Sequence, residues 1–171
     1  MSKGKVWKYG DDINTDVIFP GKYTYSVLDP GEMAKHALED LDPAFARSVK
    51  PGDIVVAGKN FGCGSSREQA ATCLKSAGVQ AVIAKSFARI FFRNAINQGL
   101  PVVQCSEAVD RIEGGEKISI DFARGVIETA GEVFTFVPLP DSILQILDAG
   151  GLIRYTKAKI ERGKNQGDSH A

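Results

Sequence analysis

A chain of 171 residues with 43% hydrophobic and 25% charged side chains is large enough for one domain with a sizeable core, plus at most an appended helix. Lysine plus arginine equals aspartate plus glutamate at 21 each, so no net field draws the chain to nucleic acid or to an anionic membrane. The opening Met1-Ser-Lys-Gly-Lys-Val-Trp-Lys8 lacks an apolar signal segment and no later run approaches membrane length, which predicts a cytoplasmic protein.

Val6-Trp-Lys-Tyr9 predicts a short strand, followed by a polar, turn-rich loop from Gly10 to Asp16 and a second short strand, Val17-Ile-Phe19, closed by Pro20-Gly21. Asp11 and Asn14 fit as turn formers bonded to their own backbone, whereas Asp16 abuts an apolar stretch and has no such role. Asp11, Asp12 and Asp16 lack the twelve-residue spacing and closing Glu of a calcium loop. No periodicity marks Lys22 to Asp29, so residues 21–31 read as a mobile lid. Glu32 to Leu41 predicts a helix with Met33, Ala34, Ala37, Leu38 and Leu41 inward and His36 outward, and Asp42-Pro43 opens another short helix through Val49.

Asp53-Ile-Val-Val-Ala57 is a buried strand, and Gly58-Lys-Asn-Phe-Gly-Cys-Gly-Ser-Ser-Arg-Glu68 carries it into a helix. Gly62 and Gly64 permit positive φ and close approach of a ligand. Ser65 with Glu68 three residues on is a capping-box signature that places the helix start at Ser65. Unpaired amides, the positive helix end and the Arg67 fork together favour a carboxylate or phosphate. A nucleotide-binding Gly-Lys-Ser ending and the Gly-x-Gly-x-x-Gly spacing are both absent, and a plain strand-to-helix connection is the competing reading.

Val79 to Ala84 predicts a strand, Lys85 to Asn97 a helix, and Leu100 to Gln104 a third strand. This parallel unit gathers its strand ends on one edge, where Lys85 and Ser86 can face the glycine loop. Arg89 and Arg93 share a solvent-facing side of their helix. Lys117 to Phe122, Val126 to Thr129 and Val133 to Val137 alternate as antiparallel strands, Pro140 to Ala149 is an amphipathic helix, and Leu152 to Arg162 is helical. One domain over residues 1–163 and a disordered tail over 164–171 follow. Cys73 reads as core, Cys105 as a strand end and Cys63 as lining of the loop. With His36 and His170 the only histidines, a metal or iron–sulfur site made by this chain alone is not expected.

Three motifs in order, Asp12-Ile-Asn-Thr-Asp-Val-Ile18, Gly58 to Glu68, and Ser86-Phe-Ala-Arg-Ile90 with Asn94, resemble the aconitase superfamily, in particular the separately encoded small subunits of 3-isopropylmalate dehydratase or homoaconitase type. The resemblance covers roughly residues 5–155. It implies an α/β swivelling domain, layered β/β/α, with a parallel βαβαβ unit and an antiparallel C-terminal part. It implies a hydro-lyase, active only with a large subunit that carries a [4Fe-4S] cluster, in a heterodimer or heterotetramer. The implied substrate is a small 2-hydroxy acid, with 2- and 3-isopropylmalate of leucine biosynthesis first and a homoaconitase or methyl-substituted malate substrate behind. A non-catalytic anion-binding module stays as the reading from another class. By resemblance Ser65 is the base, Asp16 orients groups or relays protons, Ser66, Arg67 and Gly64 bind substrate carboxylate, and Tyr23, Thr24 and Tyr25 lie in the segment that reads the side group. No arginine lies between Pro20 and Phe45, which favours an apolar side group over an extra carboxylate.

Overall fold

The computed structural model describes residues 3–167. After β1 (Gly4–Lys8) the polar loop delivers a one-turn helix, α1 (Thr15–Ile18), where a strand was expected. Asn14 makes the difference: its side chain accepts from the Val17 amide at 2.9 Å and caps a turn that the apolar triplet alone reads as extended. A 3-10 turn (Gly21–Tyr23) leads to α2 (Pro30–Ala34), shorter than the helix expected through Leu41. Leu38 explains this. Its amide donates to the Ile18 carbonyl at 2.8 Å and its φ is +56°, which no α-helix accommodates.

The parallel unit comprises α3 (Phe45–Ser48), β2 (Ile54–Ala57), α4 (Glu68–Ser76), β3 (Ala81–Ala84), α5 (Arg89–Gln98) and β4 (Val102–Gln104). A short helix unmarked by periodicity, α6 (Ser106–Arg111), precedes β5 (Lys117–Asp121), β6 (Val126–Glu128) and β7 (Val133–Thr135). The chain closes with α7 (Asp141–Asp148) and α8 (Leu152–Gly167), so residues 164–167 of the expected tail are helical, while residues 168–171 lie outside the described residues. Among the described residues no helix is long and apolar enough to cross a membrane.

The seven strands form one sheet in the order β4-β3-β2-β1-β5-β6-β7. Pairing is parallel from β4 to β1 and antiparallel from β1 to β7, so β1 joins the two expected halves. Both faces of the parallel half are buried, which is why its strands read as unbroken apolar runs. Val55, Ala57, Val82 and Ala84 meet Phe19, Leu38, Phe45, Leu74 and Phe91 on the helical side. Ile54, Val56, Ala81 and Ile83 meet Ile118, Ile120, Ile127 and Phe134 from the antiparallel half, with α6 beside them. This gives the layered β/β/α arrangement, and each fully buried Phe, Leu or Ile contributes about 1.5–3 kcal/mol. Buried Asp53 pins β1 against β2 by accepting from the Trp7 indole at 2.9 Å, the Lys50 amide at 3.0 Å and the Lys5 amide at 3.2 Å.

Candidate functional site

The loops after β1, β2 and β3 continue the parallel pairing beyond the sheet. Gly58 donates to Gly10 at 2.9 Å, Asp12 to Lys59 at 2.8 Å, Gly62 to Ile13 at 2.7 Å and Thr15 to Cys63 at 2.8 Å, while the Phe61 amide donates to the Ser86 carbonyl at 3.0 Å and the Phe61 carbonyl accepts from the Ala88 amide at 2.9 Å. Side chains brace these rungs. Asp11 accepts from the Lys59 amide at 2.7 Å, and Asn60 donates to Asp12 at 2.8 Å and from its backbone to the Ser86 hydroxyl at 2.8 Å. Asp11 therefore serves the neighbouring loop, not its own turn, and Ser86 is spent as a brace. Lys85 pairs with Asp110 of α6. Gly62 has φ +78°, and a Cβ there would sit 2.1 Å from the Phe91 ring, so both backbone and packing require glycine.

Helix α4 begins at Glu68, so the Ser65 capping box does not form; Arg67 stands at the cap position without a side-chain cap bond. The Ser65 carbonyl is held from two sides, by the Thr15 hydroxyl at 3.0 Å and the Arg67 amide at 2.8 Å, which keeps Ser65 to Arg67 as a bend outside the helix. The consequence is chemical. Gly64, Ser65 and Ser66 are exposed, and among the described residues neither serine hydroxyl takes a hydrogen-bond partner.

Arg67 draws three segments together. Its Nη1 lies 2.5 Å from Asp16 Oδ1 on α1 and donates to the Thr24 hydroxyl at 3.2 Å. With a quarter of the guanidinium side chain and half of the carboxylate side chain exposed, this pair adds only about 0–1 kcal/mol to stability, so its effect is geometric. Tyr25 stands 93% exposed. Tyr23 departs from the group: its ring stacks on His36 with centroids 3.9 Å apart. Cys63 is half-buried in the loop, and Cys73 is sealed on the inward face of α4, where burial pushes its thiol pKa far up and leaves it inert. Asp16, Thr24, Ser65, Ser66 and Arg67 thus share one open rim. Thr15 and Gly21 support it in ways with no local signal: buried Thr15, though inside the Asp12 to Ile18 motif, acts on a carbonyl fifty positions away, and a Cβ on Gly21 would lie 2.9 Å from Arg67 Nη1.

The model of the aconitase C-terminal domain family matches residues 21–108, about half of the chain. The chain belongs to this family. Among relatives of this aconitase-family chain, the 3-isopropylmalate dehydratase small subunit 1 of Archaeoglobus fulgidus is 55% identical over 161 residues, covering 93% of this chain and 99% of the relative. The 3-isopropylmalate dehydratase small subunit of Heliobacterium modesticaldum is 54% identical, covering 94% and 98%. The crystal structure of 3-isopropylmalate dehydratase from Methanocaldococcus jannaschii superposes with a TM-score of 0.87 at 44% identity, covering 95% of this chain and 98% of that one. The swivelling-domain fold expected of this aconitase-family chain is the fold observed.

Proposed function

We propose that this chain is the small subunit of a cytoplasmic 3-isopropylmalate dehydratase of leucine biosynthesis, a hydro-lyase that interconverts 2- and 3-isopropylmalate by removing water and adding it back one carbon over. The observation that carries the reading is the exposed Ser65-Ser66-Arg67 bend beside Asp16, presented on the domain rim. Arg67, Ser66 and the amides around Gly64 hold a substrate carboxylate. Ser65 Oγ, deprotonated, takes the proton from the carbon next to that carboxylate. The C–H electron pair becomes the double bond as the neighbouring C–O bond breaks with its electron pair on oxygen, and the departing hydroxide takes a proton and leaves as water; re-addition reverses these steps with the hydroxyl on the adjacent carbon. An alkoxide is a poor species in water, so its charge needs the fixed amide dipoles and guanidinium of this rim, with water excluded on closure. Asp16 orients Arg67 and relays the proton.

Among the described residues no three His, Cys, Asp or Glu side chains are grouped to hold a metal ion, and two of the three cysteines are buried. The described residues do not fit an iron–sulfur cluster. The aconitase family match and the small-subunit names of the relatives support assigning a [4Fe-4S] cluster, with its Lewis-acid contribution, to a large partner subunit. Tyr25 and Leu28, 93% and 73% exposed on a loop without arginine, offer apolar surface to an isopropyl group.

Reconstitution with the large subunit under anaerobic conditions tests the reading. We expect turnover of 3-isopropylmalate well above that of homocitrate derivatives or methyl-substituted malates, and none from this chain alone. An assembled complex inert toward every malate derivative would leave the rim as an anion-binding module and overturn the proposal.

Gly21 supplies a second check. Its backbone accepts alanine, but the added Cβ would lie 2.9 Å from Arg67 Nη1 and 3.0 Å from Asp16 Oδ1 and push the pair apart. Gly21→Ala should cost roughly tenfold in kcat/KM of the assembled enzyme. Thermal unfolding of the isolated chain should change by less than about 1 kcal/mol, because the displaced pair is largely exposed.

A further inference from the structure

The segment expected to read the substrate contains one residue that is tied elsewhere. Tyr23 stacks on His36 at 3.9 Å with 28° between the rings, and Phe19 flanks it at 6.2 Å. His36 Nδ1 lies 2.6 Å from Glu39 Oε2, while Glu39 Oε1 takes Lys22 Nζ at 2.9 Å, so both carboxylate oxygens are committed. Lys22 in turn sits 5.0 Å from the Tyr23 ring centroid and 3.6 Å from Asp40. Burial works to raise the Glu39 pKa, yet the hydrogen bonds from His36, Lys22 and Tyr23 outweigh it and bring it below the usual value. The ring is only the anchor. The Tyr23 carbonyl accepts from the Ser26 and Val27 amides at 3.2 and 3.0 Å, and the next residue, Thr24, is the one that meets Arg67.

We propose that Tyr23 is a positioning residue: the Lys22-Tyr23-His36-Glu39 cluster fixes the base of the 24–28 loop, so that Thr24 meets Arg67 and Tyr25 and Leu28 stand over the substrate's side group. The kinetic consequence rests on the dehydratase reading above; the structural one does not. A single exposed ion pair is weak, but here a stacked ring, a short imidazole–carboxylate bond and an ammonium converge on one carboxylate and its neighbours.

Hydrogen exchange on the isolated chain tests the anchor. His36→Ala and Tyr23→Ala should each speed exchange of the Thr24, Ser26 and Val27 amides by at least about tenfold, with the β2 and β3 amides unchanged. In the reconstituted enzyme both variants should raise KM for 3-isopropylmalate by roughly tenfold while kcat stays within about threefold, and Tyr23→Phe, which gives up the hydroxyl's bond to Glu39 but keeps the stacked ring and leaves His36 and Lys22 on that carboxylate, should recover most of the loss. If His36→Ala leaves exchange and KM at wild-type values while Tyr23→Ala and Tyr23→Phe both raise KM, Tyr23 touches substrate and the proposal falls. A wild-type complex that does not turn over 3-isopropylmalate would remove the dehydratase reading, and the exchange rates would still decide the anchor.

Discussion

Ser65→Ala is expected to lower kcat of the assembled enzyme by about three orders of magnitude, the middle of the range for loss of a positioned proton-transfer group. The substitution is clean. Ser65 is exposed, its hydroxyl bonds to nothing among the described residues, and the bend is held through its carbonyl by Thr15 and Arg67, a linkage that alanine retains. Stability should therefore stay within about 0.5 kcal/mol, as for a surface change that breaks no cap and opens no cavity. KM should move little, because a hydroxyl that acts as base matters in the transition state more than in the bound ground state. Steady-state kinetics beside a melting curve separates these effects. A variant retaining turnover within severalfold of wild type would place the base on another residue and reduce Ser65 to part of the carboxylate cradle.

The absence of a cap bond at Ser65 bears on this chemistry. Read locally, Ser65 and Glu68 form a capping box, and a capping oxygen would already be accepting amide bonds. The long-range bond from Thr15 pulls the bend out of the helix and frees the hydroxyl. Other departures from the sequence reading have the same origin. Val17-Ile-Phe19 has the composition of a strand but obeys the Asn14 cap, and the helix expected to Leu41 ends early because Leu38 bonds to Ile18. What was legible was whatever depends on burial pattern: Ile54-Val-Val-Ala57 and Ala81-Val-Ile-Ala84 are apolar throughout because both faces are covered. Lys117 to Asp121 alternates in residue type but not in burial, since Ser119 is covered as fully as Ile118 and Ile120 on either side of it. The rim divides in the same way. Asp16, Ser65, Ser66 and Arg67 stand in recognisable motifs, as does Thr15, although its bond to the Ser65 carbonyl had no local sign, whereas Gly21, His36 and Glu39 act only through contacts that folding creates.

Arg67→Lys is the second large effect expected, and it should fall on substrate binding. The guanidinium meets Asp16 and Thr24 through Nη1, and its remaining N–H groups can engage a carboxylate in a planar fork. Lysine keeps the charge but offers a point donor on a flexible stem, so it can hold Asp16 or a substrate oxygen without reproducing the fork. A charge-assisted hydrogen bond contributes about 1.5–3 kcal/mol, so losing one predicts a rise in KM of roughly 10- to 100-fold with a smaller fall in kcat. The stability of the isolated chain should barely change, since the Asp16–Arg67 pair is partly solvated and contributes about 0–1 kcal/mol. That contrast makes the measurement decisive. A large rise in KM with an unchanged melting temperature assigns Arg67 to the substrate. Unchanged kinetics would remove it from the site and leave the ion pair as a tether between α1 and the start of α4. Loss of both stability and activity would mean that the pair holds the rim together more tightly than its exposure allows.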